Sequence, residues 1–112
     1  MKNFRFVVAA AFLAGGAAAY ATASAYAAQH TIGEKGKVFS KSEITIKVGD
    51  SIVFLNDDNV AHNVMSNDEG NKFNLGLLKP GASTPVTFKT AGDVQVICAI
   101  HPSMKLLVKV TN

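Results

Sequence analysis

A single cysteine, Cys98, stands among the 112 residues, so an intrachain disulfide is excluded and the thiol needs another explanation. Clustered positive charge is missing too. No run of Lys and Arg is interleaved with aromatic residues, which leaves nucleic-acid binding without its electrostatic footprint. Beyond residue 27 there is no helical period of useful length, no internal repeat and no low-complexity tract. Catalytic combinations are absent as well. There is no Ser-His-Asp set of credible spacing, and Asp57-Asp58 and Asp68-Glu69 read as solvated loop charges rather than an acid–base pair in an apolar setting. The chain is therefore not expected to be an enzyme.

What is present begins with a leader. Lys2 and Arg5 precede an apolar run from Phe6 to Ala19, and no charge falls between Arg5 and Glu34. A basic start, an apolar middle and small residues make up the layout of a secretory signal. Ala25-Tyr26-Ala27 fits the small-x-small rule for cleavage, so residues 1–27 are expected to be removed and 28–112 to form one domain; Ala23-Ser24-Ala25 is the second choice. If uncleaved, the leader is the only segment that would meet a membrane. Its removal takes two of the eleven basic residues and none of the eight acidic ones, so the net charge falls from +3 to +1. About 85 residues remain, enough for one small core.

That domain alternates with period two. Ile44, Ile46 and Val48 alternate with Thr45 and Lys47; Gly49-Asp50 then turns the chain into Ser51–Leu55. Val86 and Phe88, then Val94, Val96 and Cys98, then Leu106, Val108 and Val110 repeat the pattern. A first strand is expected near 37–39. The stretch Ser66–Pro80 reads as a loop holding one short strand near 73–75. Short, turn-separated strands of this kind pack as an all-β sandwich or barrel. Cys98 shares a face with Val94 and Val96, which places it at the buried end of its strand.

Cys98-Ala-Ile-His101-Pro102-Ser-Met104 sets three sulfur and nitrogen donors three residues apart. An extended chain would hold Cys98 and His101 roughly 10 Å apart, and Pro102 opposes a helix. A tight loop wrapped around a point is the geometry left that lets them converge. Taken singly, each residue has a plainer explanation: Cys98 as a small core hydrophobe, His62 as a loop residue, Met104 as a gap-filler, Pro102 as a turn proline. Taken together, the only cysteine, two of three histidines and a methionine match the Cys-His-His set with a long axial Met that suits copper. The second histidine is His62, in Asn59-Val-Ala-His-Asn-Val64.

Four stretches resemble the cupredoxin family, in its plastocyanin and amicyanin branch: Glu43-Ile-Thr-Ile-Lys-Val-Gly-Asp50, Ala61-His62-Asn63-Val64, Leu78-Lys-Pro-Gly81 and Cys98–Met104. The two-residue gap between His101 and Met104 is similar to amicyanin. The resemblance implies a Greek-key β-sandwich or barrel of about seven to eight strands and one type 1 (blue) copper ion per chain. It makes His62, Cys98, His101 and Met104 the copper ligands, with Asn63 tying the two ligand loops together. It also implies a periplasmic monomer that shuttles single electrons in transient complexes with redox proteins, a c-type cytochrome or a periplasmic dehydrogenase, with the edge of His101 as the electron port and Pro102 in the docking patch. A periplasmic copper carrier or buffer using the same ligands is the alternative. A metal-free binding domain is a third reading. A further possibility is a second Cu(II) site at a mature terminus Ala28-Gln29-His30; the plainer reading there is a disordered terminal histidine.

Overall fold

The computed structural model describes residues 27–112, so residues 1–26 and the leader read in them lie outside the description. The described residues form nine strands: β1 (Gln29–Lys35), β2 (Val38–Phe39), β3 (Glu43–Lys47), β4 (Ser51–Asn56), β5 (His62–Ser66), β6 (Phe73–Leu78), β7 (Ser83–Thr87), β8 (Gly92–Ile97) and β9 (Lys105–Thr111). No helix among them is long and apolar enough to cross a membrane.

Two sheets face each other. One has the order β2-β1-β4-β7 and the other β3-β9-β8-β5-β6. Both are mixed, with β1 parallel to β4 and β3 parallel to β9, and the other pairs antiparallel. The period-two pattern explains the layering. Ile52, Phe54 and Asn56 of β4 point inward, as do Val94 and Val96 of β8 and Leu106, Val108 and Val110 of β9. With Ile32, Phe88 and Val64 they form one continuous core, in which Phe54 and Phe88 each pack against Phe73.

Three expectations from the sequence need correction. The strand expected near 37–39 is present as β2 but is not the first: β1 begins at Gln29, eight residues ahead of Lys37, and His30 lies within it, paired with Ile52, instead of in a loose terminus. The cause is the hairpin at Gly36-Lys37. Both residues have positive φ, 64° and 61°, the two-residue turn that matches strand twist, but Lys in the second place hides it from a reading by residue type. His62 opens a strand, β5, and does not lie in a loop. The strand expected at 73–75 runs on to Leu78.

Candidate metal centre

At one end of the sandwich the strands deliver three donors to one point. Cys98 follows directly on β8 and is fully buried, as its shared face with Val94 and Val96 requires. His62, at the start of β5, is also fully buried, while His101, in the turn between β8 and β9, is partly exposed. One donor atom from each lies within 4.8 Å of the other two. The Cys98 Sγ to His101 Nδ1 separation is 3.9 Å, and the two imidazole centroids are 5.1 Å apart. A trigonal ion with bonds of about 2.0 to 2.3 Å places its ligand atoms roughly 3.8 Å from one another, so the spacing fits a transition metal with little movement.

Hydrogen bonding aims the donors. His62 Nε2 lies 3.0 Å from Asp58 Oδ2. An ionised carboxylate only accepts, so Nε2 carries the proton and Nδ1 keeps its lone pair. That Nδ1 is buried and has no hydrogen-bond partner among the described residues. A buried imidazole nitrogen is costly when left unpaired, unless an ion binds it. The bond from His62, followed by the backbone N–H groups of Asn59 and Gly36, holds the Asp58 carboxyl down at about 2. Asp58 is therefore not the solvated loop charge expected from the sequence. Asp68 is not one either, because it accepts a hydrogen bond from the backbone N–H of Gln95.

Asn63 connects the two ligand segments. Its backbone N–H donates to Cys98 Sγ at 3.3 Å, and its Oδ1 accepts from the N–H of Ala99 at 3.0 Å. Its Nδ2 donates to Asn74 Oδ1 at 2.9 Å and to the Gly76 carbonyl at 2.8 Å. This last contact depends on a bulge. Between Asn63 and Met65 the partner strand β6 holds one extra residue, and Gly76 takes φ 69° there. Asn74 and Gly76 escaped the sequence reading because a single glycine in a strand marks a bulge without saying what its carbonyl meets.

Met104 is buried in the core, and its N–H donates to the His101 carbonyl at 2.9 Å, closing the tight turn that the spacing demanded. Glu34 is the unexpected neighbour. It points inward from β1, is fully buried, and neither carboxylate oxygen has a hydrogen-bond partner among the described residues. Burial pushes its carboxyl up to about 7, with His62 pulling it part of the way back.

Comparison with known proteins agrees with this arrangement. Residues 26–111 match the family described as copper binding proteins, plastocyanin/azurin family. The chain belongs to that family. As a cupredoxin, it is 34% identical over 61 residues to the methylamine utilization protein MauL of Methylorubrum extorquens, a match covering 54% of each chain. It thus spans about half the length of that curated relative. Among solved structures, a purple cupredoxin from Nitrosopumilus maritimus superposes with a TM-score of 0.66 at 29% identity, over 73% of this chain and 99% of that one. The copper-containing nitrite reductase of Thermus scotoductus gives 0.69 at 26% identity, over 75% of this chain but 22% of the reductase. An amicyanin variant gives 0.67 at 22% identity, over 73% of this chain and 81% of that one, a likeness of fold. Copper is the metal of this family, and His62, Cys98 and His101 lie together where it would bind.

Proposed function

We propose that the protein is a type 1 copper electron carrier whose single ion would be held by His62, Cys98, His101 and Met104. The observation that carries the reading is the orphaned, fully buried Nδ1 of His62 facing the Cys98 thiol and the His101 ring. Thiolate, imidazole and thioether donors select copper over hard cations. Copper in such a set supplies one-electron exchange between Cu(II) and Cu(I). The residues of the chain supply the rest. Asp58 fixes the His62 tautomer, and Asn63 donates to the thiolate and locks the loop after it, so that little has to rearrange when an electron arrives. Met104 is included because its side chain is buried and its N–H closes the turn on His101, at the spacing the family resemblance gives to the fourth ligand.

Electron exchange would pass through the partly exposed His101. Ile100 beside it, Leu77 opposite Asn63 and Val60 near His62 are exposed apolar residues around that end, a surface suited to brief docking of a redox protein. Residues 1–27 are read as the export leader, 28–112 as the mature domain and the periplasm as its location, on the charge and small-residue pattern given above. The proposed role has no bond-making step. Burial of two donors favours a carrier of electrons over a donor of metal, because a copper donor must offer its ion to another protein's ligands.

Repeated reduction and reoxidation of the copper-loaded protein in the presence of a copper chelator separates the two. An electron carrier keeps one copper per chain through many cycles. Transfer of the metal to the chelator on reduction would support the buffer instead.

A further inference from the structure

The end of β4 remote from the metal carries a second built arrangement. Asp50, in the turn between β3 and β4, is almost fully buried. Its Oδ1 accepts from the backbone N–H of Ala28 at 2.9 Å. Its Oδ2 accepts from the Lys47 N–H at 3.0 Å and lies 3.1 Å from His30 Nε2. The turn itself is already closed by the Asp50 N–H on the Lys47 carbonyl at 2.9 Å, with Gly49 at φ 94°. The Lys47 bond belongs to that turn. The bonds to Ala28 and His30 do not, since they reach 22 and 20 residues back along the chain. Ala28 is fastened on its other side as well, its carbonyl accepting from Ser51 N–H at 3.0 Å. Ala27, one residue earlier, is exposed.

A carboxylate aimed at one backbone nitrogen, immediately after the small-x-small triplet Ala25-Tyr26-Ala27, has a simple use. We propose that Asp50 is the receptor for the α-ammonium group created when a leader peptidase hydrolyses the bond between Ala27 and Ala28. In that step water adds its hydroxyl to the Ala27 carbonyl carbon and a proton to the Ala28 nitrogen. The C–N bond breaks, Ala27 leaves as a carboxylate and Ala28 keeps a protonated amine. A neutral amide donor on Asp50 Oδ1 becomes a cationic one, and charge-assisted bonds are the stronger kind. The negative charge is in place to receive it, because the N–H donors of Lys47 and Ala28, and then His30, hold the Asp50 carboxyl down at about 2.

The same clamp answers the question of a copper site at Ala28-Gln29-His30. Chelation there would have to take the amine and the His30 ring from Asp50 and the Gln29 and His30 backbone from the ladder with Ser51 and Ile52. In this proposal the processed terminus is held as a structural element rather than offered as a chelate. The clamp lies a whole strand away from the candidate centre, roughly 20 Å at 3.3 Å per residue, so its test is independent of copper.

The test has two parts. Mass analysis of the product exported from the full-length chain should give a polypeptide starting at Ala28; any other start, or an uncut chain, overturns the proposal. In metal-free form, that product should melt about 4 °C higher at pH 7 than the same chain carrying an Nα-acetyl cap, which keeps an N–H but removes the charge. Pairing raises the amine above its ordinary range of about 7.7 to 8.0, so the difference is full below that range and disappears as pH rises through the raised value. Asp50→Asn should abolish the difference. Equal melting of the free and capped chains at pH 7 overturns the proposal, and that comparison decides alone if Asp50→Asn does not fold.

Discussion

Glu34 sets the hardest question at the scale of single residues. A carboxyl group with no exposure and no partner is among the most expensive things a small core can hold. The folded state binds its proton up to about 7, against 4.5 for the ordinary group, so the folded state holds more protons than the unfolded one between those values. Stability contributed at this residue is therefore highest below about 4.5 and falls as pH rises through 7, by on the order of 3 kcal/mol in all. Glu34→Gln removes the charge but leaves an amide to satisfy, at a cost of about 1–3 kcal/mol that is the same at every pH. In the metal-free protein the substitution is expected to be more favourable at pH 8 than at pH 4.5 by on the order of 3 kcal/mol, read from urea unfolding at the two values. A stability difference that does not change with pH would contradict it. The sequence offered a hint here, since Glu34 follows Ile32 at the spacing of one strand face, but with the first strand sought near 37–39 the alternation was invisible.

Strands and loops decide how firmly the donors are held. Asn63 makes four hydrogen bonds from β5 to Cys98, Ala99, Asn74 and Gly76. Truncation to Ala removes the three that use its side chain and strands the Ala99 N–H and the Gly76 carbonyl. Asn63→Ala is expected to cost about 2–3 kcal/mol in chemical denaturation. It should also slow electron self-exchange of the copper-loaded protein, because the loop carrying His101 loses its tie to β5. A variant with native stability and native exchange rate would show that Asn63 does not hold the loops. The role of Asn63 in joining the two segments was legible from its family resemblance. The β6 bulge was not, because bulges arise from how two strands register and neither strand alone encodes the pairing.

The whole molecule is a sandwich whose core was largely legible in advance. The inward residues of β3, β4, β8 and β9 follow the period-two pattern, with polar residues between them in β3 and β8 but apolar Val53 and Leu107 intervening in β4 and β9. What the pattern missed lies where polar residues turn inward at the metal end: Glu34, Asn56, Asp58 and Asn63. Polar side chains read as surface until a buried partner is known, and those partners come from distant strands. Phe54, fully buried between Phe39 and Phe73, anchors the packing of the two sheets. Phe54→Ala is expected to cost about 3–5 kcal/mol, measured as a lower denaturation midpoint with an unchanged slope. A loss under 1 kcal/mol would mean that the core is not organised around these rings.

The account stands on one copper ion closing the triangle of His62, Cys98 and His101, and the visible absorption spectrum of the copper-loaded protein tests this most directly. With one equivalent of Cu(II), the account predicts an intense thiolate-to-copper band that is absent in Cys98→Ser and altered in His62→Ala. Stoichiometric copper binding without that band, or a band that survives the loss of the Cys98 thiol, would contradict it.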